Sequence, residues 1–267
     1  MNLKFISLAS GSSGNCYYLG TDNYGILIDA GIGVRTIKKT LKDNDIPFES
    51  ILGVFITHDH ADHIKSAGFL GEKYGIPVYA TEEVHIGMNR NYGMTQKIYQ
   101  SKRIVVKDQT TELRDFRITP FEVPHDGTDN VGFFIELGDI KFGFATDLGH
   151  ITPTVINYMS RANYLILEAN YDVEMLQHGS YPYHLKQRVQ GYNGHLSNKE
   201  CADFIAENYH ENMKYVFLCH LSRDNNHPEL AFKTIEYRLL QQDIRIGRDL
   251  ELIPLKRNHP SEVYKFG

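Results

Sequence analysis

The chain has 267 residues, of which 42% are apolar and 23% charged, and its 28 Lys and Arg against 33 Asp and Glu give a formal net charge of −5. This length and apolar content allow a sizeable hydrophobic core, and they exclude disordered, collagen-like and coiled-coil proteins. No apolar run approaches the roughly 20 residues of a membrane span, so no membrane partner is expected. The mild acidity by itself argues against a dedicated nucleic-acid binder.

The cysteines and the start of the chain bear on its location. Cys16, Cys201 and Cys219 are odd in number and have no metal-binding or redox spacing. They fit reduced thiols in a cytoplasmic protein. The apolar stretch at 5–9 is shorter than the core of a secretion signal, and it predicts a first strand instead.

Short apolar runs and helix-like segments alternate along the chain. Strands are predicted at residues 3–9, 16–19, 25–29, 52–57, 113–123, 131–137 and 140–146. Helices are predicted near residues 34–42, 153–160, 197–209 and 228–240. Gly138-Asp139 marks a hairpin turn, and Ser197 with Glu200 has the spacing of a capping box. Because no linker or repeat interrupts this alternation, one domain of layered helices and sheet is predicted over residues 1–267.

The most informative stretch follows the strand predicted at 52–57. It holds four potential metal ligands within six positions: His58, His60, Asp62 and His63. On an extended chain His58 and His60 project to the same side, and a helix is predicted to begin near Asp62. Imidazole and carboxylate ligands suit Zn, Mn, Fe or Ni better than Ca. A hydrophilic loop rich in His, or a structural metal site, is the alternative interpretation.

The motif at 58–63 resembles the signature of the metallo-β-lactamase superfamily, and the rest of that family's pattern follows in chain order. Asp29, which ends the third predicted strand, matches the Asp that braces the metal loop. His125, Asp147 and His220 match the remaining ligands. The resemblance covers most of the chain, and it implies the α/β (α+β) fold with four αββα layers.

The same resemblance implies a pair of divalent metal ions. It assigns His58, His60 and His125 to one metal, Asp62, His63 and His220 to the other, and Asp147 to both. His60 stands where the oxygen-reducing di-iron members usually carry Glu, so hydrolysis is favoured. A hydroxide bound by two metals suits phosphodiesters, and it would also serve a thioester or a lactam.

Two further residues resemble the catalytic elements of the tRNA 3′-end processing nucleases. Glu168 ends a predicted strand in a Glu-Ala pair, and His195 precedes a predicted helix in a Gly-His-Leu-Ser segment. The resemblance implies that His195 protonates the leaving group and that Glu168 orients or charges it. Asp62 joins these two in the expected catalytic set. The alternative is an ordinary His before a helix and a solvated Glu at a strand end.

The narrowest resemblance is to the WalJ (also called YycJ) group, and it is carried by residues 7–15 and by 168–176 continuing to His195. Members are bacterial cytoplasmic proteins regarded as DNA exonucleases acting from 5′ ends. The chain departs from that group at Tyr171, where the group often has His. No metal or acid role is therefore carried over to Tyr171.

Substrate contacts are predicted on weaker patterns. The small residues of the loop at 10–15 follow a strand and can present backbone N–H groups to phosphate oxygens, although a flexible hairpin turn is an equal alternative. The loop lacks the Lys of a P-loop, so no nucleotide cofactor is expected. The candidate contacts are Ser10, Ser12, Asn15, Asn170, Lys186 and Arg188.

The net charge is unevenly distributed along the chain. Residues 84–107 carry +5 and residues 175–199 carry +3, with no acidic residue in either segment, which leaves 20 basic against 33 acidic residues, or −13, elsewhere. Both segments also contain tyrosines: Tyr92, Tyr99, Tyr181, Tyr183 and Tyr192. This pattern favours a phosphate-lined groove with stacking platforms, and a solvated surface is the alternative.

These observations lead to the hypothesis of a metal-dependent phosphodiesterase, a 5′-to-3′ exonuclease acting on double-stranded DNA. RNA is a possible substrate, so the alternative within catalysis is an RNA-processing nuclease or a small-molecule ester hydrolase, because the residues that distinguish RNA from DNA are not legible in the sequence. A non-catalytic metal-binding regulatory module is the alternative from another class. The sequence leaves the native metal and the oligomeric state open.

Overall fold

The structure is a computed structural model, and it describes residues 2–266. The chain divides into two compact units. Unit 1 comprises the described residues of Met1–Val106, Gly127–Asp129 and Lys256–Gly267, and unit 2 comprises Lys107–Asp126 and Asn130–Leu255. A single domain over residues 1–267 stays a prediction.

Strands and helices alternate along the described chain. The strands are β1 (Leu3–Ala9), β2 (Cys16–Gly20), β3 (Gly25–Ile28), β4 (Ile51–Phe55), β5 (Val78–Ala80), β6 (Lys102–Ile104), β7 (Thr111–Leu113), β8 (Phe116–Glu122), β9 (Val131–Leu137), β10 (Ile140–Ala145), β11 (Tyr164–Glu168), β12 (Tyr215–Cys219), β13 (Glu251–Pro254) and β14 (Tyr264–Phe266). The helices are α1 (Val34–Asp43), α2 (Ala61–Ile64), α3 (Ala67–Tyr74), α4 (Glu82–Arg90), α5 (Pro153–Met159), α6 (Val173–His178), α7 (Tyr183–Val189), α8 (Asn198–Asn208) and α9 (Pro228–Leu240). A 3₁₀ turn at Phe48–Ser50 precedes β4.

Unit 1 contains a seven-stranded mixed sheet in the order β14-β1-β2-β3-β4-β5-β6. The strands from β3 to β6 are parallel, and Ile28 at the end of β3 pairs with Phe55 at the end of β4. The residues that follow these two strands therefore emerge at the same edge of the sheet. Apolar side chains of α1, α3 and α4 share one buried cluster with the sheet: Ile37, Leu41, Leu70, Val84 and Met88.

Unit 2 contains a second seven-stranded mixed sheet in the order β13-β12-β11-β10-β9-β8-β7. The strands from β10 to β13 are parallel, so the carboxyl ends of β10, β11 and β12 meet at one edge. Buried side chains of α5, α8 and α9 pack in the same apolar cluster as this sheet: Val155, Met159, Ile205, Ile235 and Leu239. Three of the predicted site residues, Asp147, Glu168 and His220, lie at this edge.

Most predicted elements are confirmed to within two residues, but the strand predicted at 113–123 is wrong. The structure has two strands there, with Leu113 of β7 paired to Phe116 of β8 across a tight turn. Arg114 in this turn adopts a left-handed φ of 53°. Because Arg rarely takes this conformation, the sequence carried no turn signal. By contrast, the hairpin turn at Gly138, with a φ of 60°, is confirmed.

The capping box of α8 is confirmed, because the Ser197 and Glu200 side chains each accept a hydrogen bond from the other residue's backbone N–H. The three cysteines are buried and form no disulfide. Burial, followed by the nearby charge of Asp29, raises the pKa of the Cys16 thiol. None of the helices in residues 2–266 has the length and apolarity needed to cross a bilayer.

Candidate metal and catalytic site

Asp29 holds both ends of the His-rich loop in unit 1. It directly follows β3 in a left-handed conformation, with a φ of 58°, and it is fully buried. Its carboxylate accepts hydrogen bonds from the Thr57 backbone N–H at 2.9 Å and from His63 Nδ1 at 2.7 Å. Because Nδ1 of His63 donates to a carboxylate, Nε2 is left as the ligand-type nitrogen.

Thr57 links Asp29 to the first histidine of the loop. Its Oγ1 donates to Asp29 at 2.9 Å and lies 3.0 Å from His58 Nδ1. A hydroxyl that donates to the carboxylate can accept from Nδ1, which fixes His58 with its Nε2 as the lone-pair nitrogen. Sequence analysis missed Thr57. Its position directly before the first ligand, at the end of a strand, was the available signal.

His58 and His60 project together, as the extended spacing predicts. Their ring centroids are 4.6 Å apart, and that of His63 lies 4.1 Å from that of His58. The intervening Asp59 turns away, and its carboxylate accepts from the Thr128 backbone N–H at 2.9 Å and from Thr128 Oγ1 at 2.5 Å. The three histidines of the loop therefore lie together, while the Asp59 carboxylate serves to hold Thr128.

Asn15 contacts two of the predicted ligands. Its Nδ2 lies 2.9 Å from His63 Nε2 and 3.3 Å from Asp62 Oδ2, and its Oδ1 accepts from a backbone N–H of its own loop. Ser10 is also fully buried and shares a 2.8 Å hydrogen bond with the hydroxyl of Tyr17. Ser12 is exposed. Of the three candidate contacts in this loop only Ser12 has an exposed side chain, and a substrate contact by any of them stays a prediction.

Gly31 permits a close backbone approach beneath this loop. A Cβ at this position would lie 1.6 Å from the backbone oxygen of Asp62. That oxygen accepts from the Asn15 backbone N–H at 2.7 Å, and the Gly31 N–H donates to the Asn15 oxygen at 2.8 Å. Only glycine fits here, and the backbone contacts position the helical turn that carries Asp62 and His63.

In unit 2, four further side chains converge at the carboxyl edge of the parallel strands. Asp147 follows β10 with a φ of 47°, His220 follows β12 with a φ of 51°, and Glu168 ends β11. Ligand-type atoms of Asp147, Glu168, His195 and His220 all lie within 4.8 Å of one another. His220 Nδ1 is 2.5 Å from Asp147 Oδ1. The cluster contains a carboxylate and a His predicted as metal ligands, together with the predicted acid pair.

Glu168 is a fully buried carboxylate surrounded by donors. Its Oε1 accepts from His195 Nδ1 at 2.8 Å and from His220 Nδ1 at 2.9 Å. Its Oε2 accepts the backbone N–H groups of Leu148 at 2.7 Å and Leu196 at 3.1 Å. Burial alone would raise the pKa of Glu168, but the charge of His195 and the hydrogen bonds from the two histidines outweigh it and lower the pKa to about 2. Glu168 is therefore ionised at neutral pH.

His195 is placed to hold a proton. Burial lowers its pKa, but the charge of Glu168, the hydrogen bond to it and the charge of Asp147 together raise the pKa above its ordinary value. When the ring is in its imidazolium form, Nδ1 donates to Glu168 and Nε2 carries the second proton, which is the one that can be transferred. The side chain keeps 19% of its surface exposed, which gives it access to a bound molecule.

His125 is tied to the same loop as His195. Its Nδ1 donates to the backbone oxygen of Gly194 at 2.8 Å, which leaves Nε2 as the ligand-type nitrogen. That Nε2 lies 3.7 Å from Asp147 Oδ2 and 3.4 Å from Asp126 Oδ1. Gly194, which holds the predicted metal ligand His125, therefore directly precedes the predicted acid His195.

The remaining substrate candidates differ in their surroundings. Asn170 is buried and donates to Glu168 Oε1 at 3.2 Å and to the backbone oxygen of His220 at 2.9 Å. Lys186 Nζ donates to a backbone oxygen, that of Gln177, at 2.7 Å. Arg188 is exposed, and its Nε forms a 2.7 Å ion pair with Asp126. Asn170 therefore supports Glu168, and phosphate contacts by Lys186 and Arg188 stay a prediction.

Tyr171, where the chain departs from the WalJ pattern, belongs to a small apolar cluster. The ring is buried against Leu176 and Val189. Burial, followed by the nearby charges of Glu200 and Glu168, raises its pKa to about 12. The side chain is thus a neutral packing residue.

The donor sets of both units fit divalent metals. His63 and His125 each donate Nδ1 to an oxygen acceptor, and His58 Nδ1 lies against a hydroxyl, so in all three rings Nε2 is the nitrogen with the lone pair that a metal needs. Carboxylates stand beside these nitrogens, as at Asp62 and Asp147. This mixture of imidazole and carboxylate suits divalent transition metals.

A family profile described as Beta-lactamase superfamily domain matches residues 24–220. The chain is 32% identical over 263 residues, 98% of this chain and 99% of the relative, to a Bacillus anthracis protein named Exodeoxyribonuclease YycJ. It is 34% identical over 252 residues, 94% of each chain, to Exodeoxyribonuclease WalJ of Streptococcus pneumoniae serotype 2 strain D39. The solved metallo-β-lactamase fold protein YhfI of Bacillus subtilis aligns over 100% of both chains with a TM-score of 0.72 and 18% identity, which confirms the predicted fold. The chain therefore belongs to the metallo-β-lactamase superfamily, in the group that includes the relatives named YycJ and WalJ.

Proposed function

We propose that the chain is a metal-dependent phosphodiesterase that acts as an exonuclease on double-stranded DNA in the 5′-to-3′ direction, in the cytoplasm. One observation carries the proposal: Glu168 Oε1 accepts hydrogen bonds from both His195 and the ligand-type His220. A proton donor is thereby fixed within a cluster of metal-type ligands. Cleavage of a DNA phosphodiester releases an alkoxide, which such a donor protonates as it departs. The names of the two nearly full-length relatives support DNA as the substrate.

The proposal includes two divalent metal ions, and Zn, Mn, Fe and Ni all suit the donors. The ligands, assigned by resemblance, are His58, His60 and His125 for one ion, Asp62, His63 and His220 for the other, and Asp147 for both. When bound, two such ions lower the pKa of a water and neutralise charge on the phosphate. Asp29 and Thr57 orient the rings of His58 and His63 with Nε2 as the lone-pair nitrogen, through the hydrogen bonds described above.

The acid step is assigned to residues of unit 2. His195 donates its Nε2 proton to the leaving oxygen of the cleaved ester. Glu168 remains ionised and stabilises the imidazolium through Nδ1, at a distance of 2.8 Å. The two backbone N–H groups on Oε2 keep the carboxylate from turning away. The loss of such a general acid typically costs a factor of about 10² to 10⁴ in rate.

The direct test uses purified protein loaded with Zn or Mn and a panel of substrates. Duplex DNA labelled at the 5′ or the 3′ end, single-stranded DNA, RNA, a chromogenic phosphodiester and a thioester are incubated in parallel. We expect nucleotides to be released from the 5′ ends of duplex DNA, with loss of activity in chelator and recovery on adding metal. Preferential cleavage of RNA would favour the RNA-processing alternative, and cleavage of the thioester alone would contradict the proposal.

A second arm of the test addresses the non-catalytic alternative. His58→Ala is expected to lose metal and activity together. If the loaded wild-type protein cleaves none of the substrates, while His58→Ala still loses metal, the chain is a metal-binding module and not a nuclease.

A further inference from the structure

Two loops of unit 2 carry both the proposed chemistry and a pair of aromatic rings. The loop that begins with Asp147 carries His150 three residues later, and the loop that ends with His195 carries Tyr192 three residues earlier. Three residues span at most about 10 Å. Both rings therefore lie within a short reach of the cluster formed by Asp147 and His195.

The two rings hold each other in place. The ring centroids of His150 and Tyr192 are 3.7 Å apart with an interplanar angle of 35°, and His150 Nδ1 donates to the Tyr192 backbone oxygen at 2.9 Å. Tyr192 nonetheless has 74% of its surface exposed. The imidazole lies against one face of the phenol ring, and the rest of the ring is exposed.

The backbone that carries the two rings is closely packed at two glycines. A Cβ at Gly149 would lie 2.3 Å from the Tyr192 backbone oxygen, and a Cβ at Gly194 would lie 2.3 Å from the Arg188 oxygen. The Gly149 N–H also donates to the Pro124 oxygen at 2.7 Å. This tight packing distinguishes Tyr192 from a tyrosine on a loose surface loop.

The segment of sequence that contains Tyr192 is basic. Tyr192 lies in the segment 175–199, which contains three basic residues and no acidic one. Arg188 is exposed on α7, seven residues before His195, and pairs with Asp126, the neighbour of His125. An aromatic ring and basic side chains in one segment are the combination that binds unpaired bases, because the ring stacks on the base while the cations contact the backbone.

We infer that the Tyr192–His150 pair is a stacking subsite for the nucleobase of a nucleotide adjoining the phosphate at which His195 acts. The subsite rests on the proposed phosphodiesterase function and specifies how that site recognises its substrate. It binds a base through the exposed face of the Tyr192 ring, and His150 packs against the opposite face. Stacking tolerates every base, so the subsite confers no sequence preference.

The test measures the rate advantage that a base confers. Duplex substrates carry either a normal nucleoside or an abasic residue at the terminal or the penultimate position of the cleaved strand. For the metal-loaded wild-type protein we expect kcat/KM to fall about tenfold when the base is missing at one of these positions. The measured ratio is kcat/KM on the normal substrate divided by kcat/KM on the abasic substrate. Tyr192→Ala should reduce this ratio to near one, whereas Tyr192→Phe should preserve it.

Tyr237→Ala is the matched control, because Tyr237 is similarly exposed, at 69%, and lies on α9. It should leave the ratio unchanged. His150→Ala should lower the ratio partly, which tests the platform even if Tyr192→Ala folds poorly. Quenching of a terminal 2-aminopurine base by wild-type protein, and its loss in Tyr192→Ala, provides a second readout that needs no turnover.

The two proposals fail in different ways. If the wild-type protein cleaves no DNA, the proposed function is wrong. If it cleaves DNA but shows no difference between normal and abasic substrates, or if Tyr192→Ala keeps the wild-type ratio, the nuclease proposal stands and the stacking subsite is wrong.

Discussion

At the scale of single residues, the hydrogen bonds behind the histidines decide which nitrogen faces a metal. The Asp29 carboxylate accepts a hydrogen bond from His63 Nδ1, and the Gly194 backbone oxygen accepts one from His125 Nδ1. The Thr57 hydroxyl donates to Asp29 and lies against His58 Nδ1. The ligand residues were recognisable because four of them lie within six positions. Thr57 was not, because its role depends on Asp29, which lies 28 residues earlier and meets it only through the pairing of two parallel strands.

Thr57→Val tests this support at nearly constant volume. Removing the hydroxyl leaves the Asp29 carboxylate with one donor fewer and releases His58 Nδ1, so we expect metal affinity to fall by about 10- to 100-fold. Metal content after competition with a graded series of chelators measures the change. Thr57→Ser keeps the hydroxyl and should retain the metal, and equal affinity in the Val variant would contradict the proposed support.

At the scale of elements, α3 anchors the segment that leads into β6. Glu72 Oε1 accepts the backbone N–H groups of Tyr99, Gln100 and Ser101 at 2.9–3.1 Å, and the Ser101 hydroxyl at 2.7 Å. The hydrogen bond from that hydroxyl, followed by those from the backbone, lowers the pKa of Glu72 to about 2 from an ordinary value of 4.5. One partly exposed carboxylate thus fixes three consecutive residues of the basic segment 84–107.

Glu72→Gln is expected to lower the free energy of unfolding by about 1–2 kcal/mol at pH 7, the lower range for hydrogen bonds to a charged group. Because the folded-state pKa is depressed, this stabilisation is fully present above pH 4.5 and is lost as the pH falls toward 2. Urea unfolding of both proteins from pH 7 down to pH 3 should show the difference shrinking below pH 4.5. Glu211→Gln, an exposed control, should show no such trend. A difference that stays constant with pH would contradict the role of the charge.

The elements themselves were partly predictable. β1 to β4, β9 and β10 follow from short apolar runs bounded by turn residues, and α8 follows from its capping box. The turn at Arg114 was missed because its left-handed φ is imposed by the pairing of β7 and β8 and not by a glycine. The short helices α6 and α7 lack the length over which a helical period becomes visible.

At the scale of the whole molecule, charge summed along the sequence overstates the positive surface. The two acid-free segments carry +5 and +3, but Lys102 pairs with Glu82 at 2.6 Å and Arg188 with Asp126 at 2.7 Å, both acids lying outside those segments. Pairing between residues distant in sequence is invisible before the chain is folded. Binding to DNA through either segment is therefore expected to involve few phosphate contacts and a moderate dependence on salt.

The double variant Lys186→Ala/Arg188→Ala tests this surface. If both side chains bind phosphates, the slope of log KM against log salt concentration should become shallower by about two, with metal content unchanged. Lys233→Ala, an exposed lysine on α9, serves as the control. An unchanged slope in the double variant would remove these two residues from the substrate surface.

The proposed acid role of His195 makes one comparison decisive for the whole proposal. The rates of wild-type protein and His195→Ala, both loaded with metal, are measured on DNA and on a p-nitrophenyl phosphodiester, whose leaving group departs without protonation. If His195 protonates the leaving oxygen, the variant should lose a factor of about 10² to 10⁴ on DNA but only a small factor on the p-nitrophenyl ester. An equal loss on both substrates would contradict the assignment of His195 as the leaving-group acid.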